Sequence, residues 1–257
     1  MNALLSSDQL FTLLQGWYWP FLRLSALFMI APIFGASSFP RRARILLAVA
    51  IASIIAPTLP AVQGVDPMSA AGVLMAGEQV LIGLAMGFIL QTAFAALVMA
   101  GQALAMTMGL GFAMSVDPQN GVQVPVLSQF YMIVATLLFL AIDGHLMMIE
   151  ALAHSFTLLP PGQLGQVENL AMNIVRWGSQ MFASALLIAL PALTAALLIN
   201  VSFGVITRAA PQLNIFAVGF PVTISVGFVF IMLSMPPVIK LLEDIFHSTL
   251  GAALAIF

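Results

Sequence analysis

The chain contains no cysteine and very little charge. Without cysteine there are no disulfides, no thiolate metal sites and no cysteine nucleophile. Only 6% of its 257 residues are Asp, Glu, Lys or Arg, against about 25% in a typical globular chain. That is too little charge to cover the outside of a soluble domain of this length. Seven basic and nine acidic residues give a formal net charge of −2. No basic stripe can therefore neutralise a phosphate backbone, which argues against nucleic-acid binding. What the chain has instead is apolar surface: 62% of its residues are hydrophobic, and most of its exterior must face lipid or other protein.

Met1 to Leu10 carries Asp8 and neither Lys nor Arg, so it lacks the basic start of a cleavable signal and reads as part of the mature protein. A first apolar stretch, Phe11 to Phe34, is interrupted only by Arg23 and is long enough to span a hydrocarbon core. It ends at Gly35 to Arg44, where turn residues and three arginines coincide. A second stretch, Ile45 to Leu59, is closed by Pro57 and Pro60. The third, Ser69 to Met114, has Glu78 as its only charge and would measure about 69 Å as one straight helix. A bilayer core is about 30 Å thick. The stretch must therefore either fold back near Gly101 or continue as helix into an assembly outside the lipid.

Beyond the polar turn Ser115 to Gly121 come an apolar segment from Pro125 to Ile142 with a more polar continuation to His154, the loop Pro160 to Gly162, and two long stretches, Trp177 to Ile206 and Leu213 to Ile239. The last two contain Pro191 and Pro221. The pattern predicts an all-α chain of about six long hydrophobic helices arranged as helical hairpins and kinked by Pro and Gly. Six crossings put Arg41, Arg42, Arg44 and Arg208 on the cytoplasmic side with Asp8, Asp66 and Glu168 opposite, as the positive-inside bias requires, although Arg176 and Lys240 dilute it.

Arg23 falls near mid-span, where an arginine costs roughly 2.5 to 3.5 kcal/mol to insert and needs a partner. Glu78, at a similar depth on the third stretch, is the expected one. Such a pair serves either ion coupling or helix register. Asp143, His145, Glu150 and His154 suggest a metal site, but the two histidines fall on opposite helix faces and only Glu150 and His154 share one. No nucleophile motif and no phosphate loop is present. The expectation is no enzyme, no catalytic residue, no cofactor and no metal. Gly72, Ala76, Gly83 and Gly87 recur at helical spacing and form a stripe that another helix can approach closely, within this chain or in a partner. Sixteen methionines suit irregular helix contacts. Paired broken helices also build sites in secondary transporters, so a stand-alone transporter using Arg23, Glu78 and the two prolines is the alternative reading.

Several motifs together resemble one family. They are Phe39-Pro-Arg-Arg-Ala-Arg44, Ala100-Gly-Gln102, Met108-Gly109 leading to Asp117-Pro118, Asp143-Gly-His145, Ser155-Phe156 with Pro160, and above all Arg208-Ala-Ala-Pro-Gln-Leu-Asn-Ile-Phe216 with Gly219-Phe-Pro221. The match is to the FliR family, the flagellar member of the export-gate component shared with virulence type III secretion systems. The most specific positions are Arg208, Pro211, Gln212, Asn214 and Phe216.

The resemblance implies a non-enzymatic subunit of the bacterial inner-membrane export gate in the flagellar basal body. There it would assemble with FliP and FliQ, near FlhB and FlhA, around a channel for unfolded export substrates, with part of the assembly at periplasmic level. It further implies a FliP-like first part, residues 1–170, followed by a FliQ-like C-terminal hairpin, residues 171–257. It also implies a channel plug at residues 106–123, carried by Met106, Met108, Gly109, Gly111, Phe112, Met114, Asp117 and Pro118. Taken by themselves, the residues of that segment suit an ordinary interhelical turn as well.

Overall fold

The computed structural model describes residues 7–60, 65–110, 126–167, 169–210 and 215–255. They form seven α-helices and, among the described residues, no strand. The helices are α1 (Ser7–Ile30), α2 (Arg41–Ile55), α3 (Ala70–Thr107), α4 (Val126–Ala141), α5 (Gly144–Leu158), α6 (Leu170–Ala209) and α7 (Ile215–Ala255).

The third stretch is one uninterrupted helix of 38 residues, about 57 Å long, and it does not fold back at Gly101. That glycine serves a different end. A Cβ there would lie 2.6 Å from the Ser128 Cα and 2.7 Å from its backbone nitrogen, so the missing side chain is what lets α4 cross against α3. The Ser128 hydroxyl seals the crossing by donating to the Val98 carbonyl at 2.9 Å.

The expected six spans reduce to fewer and longer elements. Among the described residues three helices are long and apolar enough to cross a membrane: α3, α6, and α7 from Val218 onward. Taking α4 and α5 as one broken span makes four. With 15 residues, α2 is only about 22 Å long and falls short of a hydrocarbon core. In α1, Asp8, Gln9, Gln15 and Arg23 dilute the apolar residues. Helix α7 contains Pro236 and Pro237 without breaking and runs well past Ile239 to Ala255. A regular apolar stripe sustains it: Val238, Leu242, Phe246, Leu250 and Ala253 recur every three or four residues and are all buried. The internal prolines at 191 and 221 likewise leave α6 and α7 continuous.

The chain divides into two compact units. One contains Met1–Thr92, Asp143–Gly178 and His247–Phe257. Its core gathers Trp19, Leu24, Leu27 and Phe28 of α1, Ala48 and Ala52 of α2, Ile82, Met86 and Ile89 of α3, Met148, Leu152 and Phe156 of α5, and Leu250 and Ala253 of α7. The other contains Ala93–Ile142 and Ser179–Phe246. At its centre Phe94, Phe139 and Phe246 pack ring to ring at centroid distances of 5.2 to 5.6 Å, within the range where aromatic pairs attract.

Candidate functional site

Arg23 is wholly buried. Its three nitrogens reach three neutral oxygens: Nε donates to Gln79 Oε1 at 2.9 Å, one terminal nitrogen to Ser155 Oγ at 2.8 Å, and the other to the Leu159 carbonyl at 3.0 Å. The guanidinium also stacks 3.8 Å above the Phe156 ring, a cation–π geometry. Among the described residues no carboxylate pairs with it. The structure therefore joins Arg23 to Gln79 and not to Glu78, which was the expected partner. Depth along a helix sets the height of a residue but not its azimuth, and each step along an α-helix turns the side chain by about 100°. Glu78 has the right height and the wrong face, and its Oε2 is buried without a hydrogen bond.

The glycine stripe of α3 turns largely inward. At Gly83 a Cβ would fall on the Arg23 carbonyl oxygen and 2.8 Å from the Ala26 Cβ, and at Gly87 it would lie 3.1 Å from the Leu27 carbonyl oxygen. Both glycines therefore seat α3 on α1 of the same chain. Ala76 packs at the edge of that core. Gly72 belongs to a turn instead: it abuts Asp66 and Pro67, and its N–H donates to Ser69 Oγ at 3.0 Å.

Of the expected plug residues, Met106 is 66% exposed, Met108 is buried, and Gly109 has φ +83°. Gly111, Phe112, Met114, Asp117 and Pro118 lie outside the described residues. Arg208 is exposed in the last turn of α6. Pro211, Gln212, Asn214 and the Phe216 side chain are again outside what is described. Asp143 takes a left-handed conformation, φ 57°, at the break before α5. Glu150 and His154 line an open cavity of about 310 Å³ together with His247, Met147 and Leu250. Among the described residues no group of His, Cys, Asp and Glu is arranged to hold a metal ion.

The transporter reading needed an Arg23–Glu78 pair and helices broken at Pro191 and Pro221, and the geometry supplies neither. The sequence also left Gln79, Asn200 and Thr223 unremarked, and marked Ser155 only as part of a family motif, because their partners are distant in the chain. The available signal was polarity: Asn200 is a lone amide in the apolar run from Ala192 to Phe203.

Residues 14–249 match the family model described as "Bacterial export proteins, family 1". The chain is 39% identical over 241 residues to a protein of Escherichia coli (strain K12) named flagellar biosynthetic protein FliR, covering 94% of this chain and 92% of that one. A protein of the same name from Pectobacterium carotovorum subsp. carotovorum is 40% identical over 229 residues, with 89% and 87% covered. One from Bacillus subtilis (strain 168) is 30% identical over 234 residues, with 90% of each covered.

Proposed function

The chain belongs to the bacterial export proteins of family 1, and from that premise we propose that it is a subunit of the flagellar protein export gate, assembled with FliP and FliQ next to FlhB and FlhA. It is a component of the flagellar protein export apparatus. The observation that carries this reading is the family match over residues 14–249.

The surface supports the finer proposal. In the most apolar windows of α6 and α7 only 39% and 28% of the residues are buried, leaving side chains such as Leu198, Val201, Met232 and Leu233 more than half exposed. Apolar area on that scale is covered by lipid or by partner subunits. The bacterial inner membrane, FliP and FliQ are the proposed covers, and the FliP-like and FliQ-like parts, residues 1–170 and 171–257, belong to the same proposal. Solubilised gently from membranes, the chain is expected to stay folded only in company with FliP and FliQ. Recovery of a stable isolated chain that binds a small solute would overturn the reading.

Within the gate we assign residues 106–123 as the channel plug through which unfolded flagellar proteins must gain passage. The described start of the segment suits this role, because α3 ends there on a glycine in a conformation that turns the chain sharply. Deleting Gly109 to Val116 is expected to leave assembly intact and to make membranes carrying the apparatus leak small ions. Unchanged permeability in correctly assembled complexes would remove the plug assignment.

A further inference from the structure

The last four carbonyls of an α-helix have no partner within it. At the end of α3 three of the four are taken by the chain itself: Met108 N–H donates to the Leu104 carbonyl at 2.9 Å, Leu110 N–H to Ala105 at 2.9 Å, and Gly109 N–H to Met106 at 3.1 Å. This is a glycine C-cap, closed through the left-handed Gly109. The fourth carbonyl, of Thr107, accepts from the Asn200 side-chain Nδ2 of α6 at 3.0 Å.

That bond fixes the amide's orientation, because only its nitrogen can donate to a carbonyl. Asn200 Oδ1 is thereby turned toward Thr223 of α7, whose hydroxyl donates to it at 3.3 Å and shares its proton with the Gly219 carbonyl at 2.9 Å. Thr223 is 2% exposed. The neighbouring residues are seated as tightly. A Cβ on Gly109 would lie 2.6 Å from the Phe220 ring, and one on Gly227 would lie 2.5 Å from the Met108 Cε. One amide thus ties the end of α3 to both α6 and α7, all within the unit containing Ala93–Ile142 and Ser179–Phe246.

We propose that Asn200 is a positioning residue whose side-chain amide, oriented by Thr223, fixes the C-terminal end of α3 and so sets the direction in which the chain leaves it. The consequence for channel closure rests on the plug assignment above, whereas the latch itself does not. Helix packing alone would need neither a donor at 200 nor an acceptor facing 223. The polar chain therefore has a directional role that packing does not explain.

The test uses the full apparatus in membranes, with hydrogen exchange of residues 104–110 as the measure of the latch and ion permeability as the measure of closure. Asn200→Asp keeps the shape and removes the donor. It is expected to speed exchange of 104–110 about tenfold, the effect of losing roughly one hydrogen bond, with assembly unchanged. Thr223→Val is expected to give a smaller increase and Thr223→Ser none. Unaltered exchange in both Asn200→Asp and Thr223→Val overturns the proposal. So does faster exchange spread through the helices of this unit together with reduced assembly, which would mark a merely structural residue. Faster local exchange with normal permeability supports the latch and counts against the plug assignment instead.

Discussion

Replacing Gly83 with leucine is expected to abolish accumulation of the folded chain. The approach of α1 to α3 is set by backbone, not by side chains that can yield. A Cβ at position 83 would overlap the Arg23 carbonyl oxygen, and it would sit 3.0 Å from the Leu27 nitrogen and 2.8 Å from the Ala26 Cβ. Even Gly83→Ala must push two helices apart, and overpacking of that kind costs about 1 to 3 kcal/mol. Leucine adds three more carbons to the same overlap. The displacement also moves Arg23, whose own backbone is the surface struck, so its hydrogen bonds are strained together with the packing. Gly77 on the same helix is the internal control: it is exposed, and nothing lies within 4 Å of a Cβ built there. Gly77→Ala is therefore expected to stabilise α3 by about 0.5 to 1 kcal/mol, because only the helix propensity changes. Thermal melting of the solubilised complex measures both, and equal effects at the two positions would show that α3 does not rest on α1 in this way.

The second large effect concerns the buried guanidinium. Gln79→Leu is expected to cost about 1 to 3 kcal/mol, since it leaves the Arg23 Nε proton buried without an acceptor. Glu78→Leu, one residue earlier, is expected to cost little, because no hydrogen bond to its buried oxygen is lost. Arg23→Lys keeps the charge and still damages the fold. A single ammonium cannot meet Gln79, Ser155 and Leu159 in their present positions, nor lie flat on Phe156. Gln79→Glu should restore or raise stability by giving the cation a counter-charge of nearly the same shape. The decisive comparison is Gln79→Leu against Glu78→Leu in the melting temperature of the complex. A larger loss at 78 would mean that the charged neighbour, not the amide, holds the arginine.

These two sites also show where reading the sequence reached and where it stopped. The all-helical class and the boundary at the three arginines depend on composition and on residues near one another in the chain, and the structure agrees with both. The identity of the arginine's partner depends on rotation about a helix axis: Gln79, four residues before Gly83, lies on the glycine face that meets α1, and Glu78 is turned about 100° away from it. The count of spans depends on where helices stop. The last apolar stretch ends at Ile239 in sequence, yet α7 continues to Ala255 because its apolar stripe is unbroken beyond that point. The Asn200 bond joins residues 93 apart in sequence, a contact that only the folded chain brings together.

The exposed flanks of α6 and α7 have a consequence for how the cell must produce this chain. With 40 and 41 residues, each helix is about 60 Å long, roughly twice the depth of hydrocarbon available to it. An upright helix of that length leaves about half of its unburied apolar residues beyond the reach of lipid. Tilting or local thickening of the bilayer absorbs only part of such a mismatch. Under the proposed assembly, a copy made in excess of the partner subunits is therefore an aggregating species as well as a surplus one. Synthesis in fixed proportion to those proposed partners, or prompt proteolysis of the unaccompanied chain, then becomes a solubility requirement written into the length of two helices.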